Sequence, residues 1–505
     1  MMKPLISKPF WQDRTRWMHS VVALLLMMGM FSVVCELFAL RTQQNFLAAF
    51  DDLDREVSSD DMLHLGFLQD ACQAENDTVL PWNFAAPGDD ADLPSLNAHF
   101  STSLFHQSDP RLLEALSLCP DVDIYMPSSS RGPAGCAAVA GPLKFLQSRL
   151  LPDWALDAKM YDVTTQERTS YLQLCPHTPM LFLSPEHVLN VTKLSSWPAT
   201  KPVYLMAPGL EGEMTPRDSF TQSVLGLTDL VLCRTKRCDK DLKQLLNRTV
   251  TEDAAKKTRV VYTSQVTVDP VNFAQRILGD EAVSEKNATH FTNARFAHTT
   301  WDIASKSTQD VIDCWSSRAE ELPPLDVYLL NQYREGKPTD GERLHRSFPA
   351  DNNNTRPLSG LKFARAFSNT AFFVCPTAND DCLDLARASG GVIVTGDGYP
   401  MNELITGYSE GVLFSTQQST ADDELLLSPP EATYRSADLC AAVLKAHSST
   451  TVNGRMTLAT QARLHFNEDA KFFMLSMVEL KAFGRREQYL QDPQQEERQT
   501  NLRRQ

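Results

Sequence analysis

The chain has no excess of basic residues. Its 505 residues carry 48 Lys and Arg against 63 Asp and Glu, a net charge of −15. That balance excludes nucleic acid as the main partner, because a phosphate backbone needs a basic face. A locally basic nucleotide pocket stays compatible with it. No internal repeat is evident, which excludes a repeat array. No Cys/His set has standard zinc spacing, and no Ser/His/Asp set has positional support as a nucleophilic triad. Beyond residue 40 no stretch is apolar enough to span a bilayer.

One apolar run is present. Met18 to Leu40 is long enough for a bilayer, which needs about 20 residues. Glu36 lies near one end, and Trp11 and Trp17 suit the opposite interface. Lys3, Lys8, Arg14 and Arg16 precede the run, and Asp51, Asp52, Asp54 and Glu56 follow it. The positive-inside rule then predicts a cytosolic N-terminus and a single-pass type II protein whose bulk is lumenal, in the Golgi or endoplasmic reticulum membrane. A cleaved signal peptide is the rival reading. Five N-x-S/T sequons fall beyond the run, at Asn76, Asn190, Asn247, Asn287 and Asn353, as candidate glycosylation sites. Ten of the eleven cysteines also lie beyond it, an even number compatible with disulfides. Two close pairs, Cys233 with Cys238 and Cys375 with Cys382, read as disulfides, buried thiols or zinc ligands.

The length suggests two domains plus extras. We expect a cytosolic tail over 1–17, the span over 18–40 and an acidic stem over 41–115 with an amphipathic helix from Phe46 to Asp61. Strands and helices then alternate. Predicted strands are Val122–Met126, Pro179–Leu183, Pro202–Met206, Asp229–Cys233 and Arg259–Thr263, with a helix over Ala137–Leu150. These place one parallel α/β domain at 116–287. A second, at 288–477, is predicted to begin with a strand over Thr289–Phe296. A helix Ser307–Ser316, a strand Asp326–Leu330 and a polar surface loop Glu335–Asn354 follow. Residues 478–505 hold a helix end and a Gln/Glu/Arg-rich tail expected to be disordered.

The segment Cys375–Phe414, CPTANDDCLDLARASGGVIVTGDGYPMNELITGYSEGVLF, is the most specific. It reads as a helix, a Gly390–Gly391 break, a buried strand VIVT, a loop of Gly396, Asp397, Gly398 and Pro400, and a helix opening at Met401. A glycine-lined turn at the carboxyl end of a strand, followed by a helix N-terminus, suits a phosphate-bearing ligand. This order resembles the carboxyl-terminal domain of retaining GT-B glycosyltransferases of the glycogen-synthase-like family 4. The segments DVDIYMPSSSR, LCPHTPMLFLSPEH, SWPATKPVYLMAPGLE, TDLVLCRTKRC, and KSTQDVIDCW before PPLDVYLLN resemble membrane-anchored GT-B proteins of oomycetes and algae. The likeness runs patchily from Pro120 to Met477.

The resemblance implies two Rossmann-like domains facing a cleft, and sugar transfer from a nucleotide-sugar co-substrate to a glycan or glycoprotein. It further implies retention, no cofactor, no divalent metal, and a final helix over Ala470–Phe483 that crosses back onto the first domain. It implies donor contacts from Arg295, Lys306, Asp384, Gly398 and Glu403. The family's pair of glutamates is missing, since no glutamate occurs between Glu342 and Glu403. Asp380 and Asp381 fall where the first stood and Asp384 or Leu385 near the second. A catalytically degenerate homologue that binds glycans or partners therefore stays open. On the acceptor side His177, His187 and His298 are candidates, His298 being closest in sequence to Arg295 and Lys306, and Glu211 and Glu213 could bond acceptor hydroxyls. Asp121 and Asp123 spell D-x-D, the metal motif of another glycosyltransferase class, but they straddle a strand entry.

Overall fold

The computed structural model describes residues 57–84, 104–162, 166–206, 219–249, 258–278, 286, 288–292, 295–330, 333–334, 337–338, 343–348, 356–358, 360–377, 382–405, 410–417 and 433–491. Among these, no helix is long and apolar enough to cross a membrane. The expected span at 18–40 lies outside them.

Two largely parallel sheets organise the chain. Short runs such as VYLM, LVLC, FFVC and VIVT are apolar on both faces, which suits strands covered by helices on each side. In the first lobe the strand order is Leu80–Pro81, Arg149–Leu151, Asp123–Tyr125, Met180–Phe182, Val203–Met206, Leu230–Cys233, Arg259–Tyr262. Only Leu80–Pro81 runs antiparallel in that sheet. In the second lobe Leu325–Leu329, Phe296–Thr300, Phe372–Cys375, Val392–Asp397 and Gly411–Gln417 are parallel neighbours, with antiparallel strands at both edges. Each parallel set places its second strand outside its first and its third on the other side. The chain direction across the sheet thus reverses between Asp123–Tyr125 and Met180–Phe182, and again between Phe296–Thr300 and Phe372–Cys375. In open α/β sheets ligands bind outside the carboxyl ends of strands at such reversals.

Several expectations need correcting. The predicted strand over Thr289–Phe296 is a short helix, Ala288–Thr292, followed by the strand Phe296–Thr300. The strand begins at Phe296, where the predicted one ends. The predicted helix Ala137–Leu150 starts at Pro133 and ends at Phe145, because Pro133 suits a first helical turn and Gly132 its cap. Its last predicted residues instead form the strand Arg149–Leu151. Within the expected loop Glu335–Asn354 lie the strands Lys337–Pro338 and Arg343–Phe348, the latter pairing with Leu325–Leu329.

The described part of the expected stem belongs to the first lobe. Helix Ser59–Ala74 carries Leu65, Leu68 and Cys72 into a core shared with Val139 and Leu143 of helix Pro133–Phe145. A Cys72–Cys136 disulfide joins the two helices, and Leu80–Pro81 pairs with Arg149–Leu151. Phe46 to Glu56 lies outside the described residues.

The final helix is far longer than Ala470–Phe483. It runs from Val452 to Gln491, 40 residues, or about 60 Å at 1.5 Å per residue. Ala459 and Ala462 pack in the cores of the second lobe, while Phe466, Phe473, Met477 and Leu480 pack in that of the first. Arg485 pairs with Asp121 at 2.8 Å, and Glu487 accepts from the Tyr204 hydroxyl at 2.7 Å. One rigid helix therefore crosses both lobes. Residues 485–491, expected to belong to a disordered tail, are part of this helix, and 492–505 lie outside the described residues.

Candidate functional site between the lobes

A cavity of about 430 Å³ opens where the carboxyl ends of both sheets meet. Its size falls in the usual range for small-molecule sites. From the first lobe come Met126 and Ser130, just after Asp123–Tyr125, and Ser184, Glu186 and His187, just after Met180–Phe182. Arg234 and Thr235 follow Leu230–Cys233, and Gln265 to Thr267 follow Arg259–Tyr262. From the second lobe come Trp301, next after Phe296–Thr300, and Leu383 and Asp384, on the helix after Phe372–Cys375. Pro400 and Leu404 complete that side. Both reversal points thus open on one cavity.

Asp384 is the expected donor residue that the fold brings here. It accepts a 2.6 Å hydrogen bond from Gln265 Nε2 and lies 3.4 Å from Arg387. Burial pushes its carboxyl above the ordinary value, with Arg387 pulling the other way. Arg387 is itself buried and paired with Asp469 of the long helix. Among the three candidate histidines, His187 lines the cavity. Its Nε2 lies 3.3 Å from Ser130 Oγ, its Nδ1 is buried without a hydrogen-bond partner, and burial lowers its pKa. Burial thus favours the neutral imidazole, whose Nδ1 is open to a further hydrogen bond as donor or acceptor according to the tautomer.

The other two histidines lie elsewhere. His298 is fully buried on strand Phe296–Thr300, bonding Val374 O at 2.7 Å and Thr308 Oγ1 at 3.0 Å. Burial drives its pKa to about 4. It ties a strand to a helix and does not line the cavity, so its expected acceptor-side role is not supported. His177 sits by Thr200 Oγ1 at 3.3 Å, away from the lining.

The expected cations separate. Lys306 is exposed at the first position of helix Lys306–Ser317, capped by Ser305 accepting from Thr308 N. That N-terminus follows the strand end bearing Trp301, which lines the cavity, while Lys306 itself lies outside the lining. Arg295 precedes the first residue of the same strand, so it stands at the opposite end of the sheet from the cavity. There it holds buried Asp326, bonding Oδ1 at 2.9 Å. Its pairing and position correct the donor-contact expectation.

The glycine segment divides in two. Gly390 and Gly391 precede strand Val392–Asp397, at its amino end. Gly390 has φ +62, and a Cβ on Gly391 would meet the Phe373 ring at 2.1 Å. That bend is packed against Phe373, at the end of the strand away from the cavity. Gly398 lies in the carboxyl-end turn, buried, with its carbonyl accepting from Asn402 N–H at 3.0 Å. The following helix, Met401–Leu404, is a single turn, so the expected phosphate-binding N-terminus is not built there. Glu403 turns to the other lobe. Its carboxylate accepts the backbone N–H groups of Lys236 and Arg237 at 2.8 and 3.0 Å.

Asp121 pairs with Arg485, and buried Asp123 pairs with Arg149 at 2.8 Å and accepts from the Tyr171 hydroxyl at 2.6 Å. The D-x-D acids are occupied by the fold. The close cysteine pairs are the disulfides Cys233–Cys238 and Cys375–Cys382, and Cys119–Cys175 and Cys314–Cys440 are two more. Asp380, Asp381, Glu211, Glu213, Asn287 and Asn353 lie outside the described residues. Asn76, Asn190 and Asn247 are exposed.

Ser130, Glu186, Arg234, Gln265 and Trp301 escaped the sequence reading. All five follow within five residues of a strand end, so the carboxyl-end rule applied to every strand would have named them.

No family model matches the chain, and no curated protein matches it. Among solved structures it is similar to Anabaena HepE in complex with UDP-glucose, with 12% identity and a TM-score of 0.42 over 72% of this chain and 98% of that one. It is also similar to sucrose-phosphate synthase from Thermosynechococcus elongatus, with 11% identity and a TM-score of 0.40 over 67% of this chain and 84% of that one. TarM follows with 12% identity and a TM-score of 0.37 over 64% of this chain and 61% of that one. At these scores the functional reading has to rest on the chain's own topology and residues.

Proposed function

We propose that the chain is a GT-B glycosyltransferase of the family 4 type, transferring a sugar from a nucleotide-sugar donor to a glycan or glycoprotein with retention. The observation that carries this is the single cavity at both strand-order reversals, walled by two α/β lobes and bridged by one helix. Lys306 and the N-terminus of its helix receive the diphosphate, whose charge grows as the sugar leaves. Asp384 accepts from donor hydroxyls, held by Gln265. Arg234 adds positive charge from the first lobe, and His187 with Ser130 meets the acceptor hydroxyl. Asp380 and Asp381 remain candidates for the donor sugar. Glu211 and Glu213 remain candidates for the acceptor.

The lumenal reading is part of the proposal. Five disulfides among the described residues suit an oxidising compartment, and Asn76, Asn190 and Asn247 are exposed as glycan acceptors must be. With the span at 18–40, the protein is read as a single-pass type II membrane protein of the Golgi or endoplasmic reticulum.

Thermal shift of the full chain with a panel of UDP- and GDP-sugars, UDP-glucose first, tests the donor site. Stabilisation by a nucleotide, lost in Lys306→Ala, is expected, and silence across all donors would defeat the reading. A second reading is favoured by the absent glutamate pair: a degenerate homologue that binds without turnover. Release of nucleoside diphosphate from a stabilising donor separates the two.

A further inference from the structure

We infer that Glu403 is a positioning residue, latching the second lobe onto the first turn of helix Lys236–Thr249 and so setting the width of the cavity. The inference deepens the glycosyltransferase reading and rests on it only in its nucleotide arm.

Both carboxylate oxygens of Glu403 are engaged across the cleft, one on Lys236 N at 2.8 Å and one on Arg237 N at 3.0 Å. The first N–H groups of a helix have no partner within it, and the dipole there favours an anion. A carboxylate bridging two such donors makes charge-assisted bonds of the stronger kind. Two further contacts join the same elements. The buried Tyr399 hydroxyl lies 2.7 Å from Thr235 Oγ1, and the Arg237 guanidinium sits 5.0 Å above the Tyr399 ring. The Cys233–Cys238 disulfide closes the turn that presents these N–H groups.

The position gives the latch its consequence. Arg234 and Thr235, immediately before the helix, and Pro400 and Leu404, beside Tyr399 and Glu403, are cavity walls. Lobes held by Glu403 keep those walls at one spacing, and lobes released from it do not. Glu403 therefore acts on a bound ligand through cavity geometry. Each of its oxygens already accepts one backbone N–H from the other lobe, which fixes the carboxylate across the cleft.

The test uses the full chain and four forms: wild type, Glu403→Ala, Glu403→Gln and Tyr399→Phe. Amide hydrogen exchange without ligand is read at residues 236–241, and small-angle scattering gives the radius of gyration. Glu403→Ala is expected to raise exchange at Lys236 and Arg237 at least tenfold and to expand the molecule. Glu403→Gln, which keeps one acceptor oxygen, recovers part of the protection. Tyr399→Phe, which removes the hydroxyl contact alone, raises exchange at the same amides by a smaller factor. UDP affinity is then measured by titration, with losses expected to follow the exchange order. Unchanged exchange in Glu403→Ala overturns the latch. Lost UDP affinity with unchanged exchange overturns it too, and makes Glu403 a direct ligand contact. If wild type binds no nucleotide while exchange responds as stated, the latch stands and the glycosyltransferase reading fails.

Discussion

Gln265 donates a 2.6 Å hydrogen bond to the Asp384 carboxylate, across 119 residues of chain. The donor sits where the chain leaves the first lobe, and the acceptor opens the helix after a central strand of the second. The contact thus reports lobe position directly to a cavity carboxylate.

Asp384→Asn should separate ligand contact from stability. Burial raises the carboxyl's pKa, so the unfolded chain releases that proton at lower pH than the folded one. Folding stability therefore falls as pH rises from the ordinary carboxyl value through the raised one, and stays reduced above it. The amide removes that slope. Chemical denaturation from pH 3 to pH 7 should show a flatter profile for the variant, while stabilisation by UDP-glucose drops at least fivefold.

Lys306→Ala and Arg295→Ala should behave as opposites. Lys306 is exposed, so its loss should change stability by no more than about 0.5 kcal/mol while abolishing the nucleotide-induced thermal shift. Arg295 covers buried Asp326, so its loss should cost on the order of 1–3 kcal/mol and leave the nucleotide shift in place. Thermal shift with and without UDP reads both.

His298 should make the fold acid-sensitive. Its folded pKa is about 4 against an ordinary 6.5, so the unfolded chain takes up a proton that the folded chain refuses. Stability is complete above pH 6.5 and declines as pH falls towards about 4. His64, also buried with a pKa near 4, adds to the same decline. His298→Asn should lose stability at pH 7, through the bonds to Val374 and Thr308, and show a shallower decline between pH 6.5 and pH 4 in urea titrations.

Gly391→Ala should destabilise by about 1–3 kcal/mol, since its methyl would collide with the Phe373 ring. Denaturant midpoints would read this. No loss would mean that the bend is open rather than packed.

A truncation starting at residue 110 should fold poorly. It discards helix Ser59–Ala74 and the Cys72–Cys136 disulfide, whose loss typically costs about 2–5 kcal/mol. A form starting at residue 57, which retains both, should have a higher thermal midpoint than the one starting at residue 110.

The alternation of strands and helices was legible in the chain, since continuous apolar runs such as VIVT and LVLC between turn residues suit strands covered on both faces. The sequence also indicated an even set of cysteines and a carboxyl-end turn, which begins at Gly398 and not at Gly396, because Gly396 and Asp397 extend the strand by pairing with Phe414 and Ser415. It misplaced what depends on contacts distant in sequence. Arg295 and Lys306 lie eleven positions apart, yet one strand puts them at opposite ends of the sheet, because a parallel strand carries the chain from one edge to the other. Glu403 reads as a ligand residue until the helix at Lys236 meets it, and His298 reads as reactive until Val374 and Thr308 enclose it. These roles follow from partners that folding brings together from distant parts of the chain. Residue type sets what a side chain can bond, and the packing of two lobes sets which partner it finds.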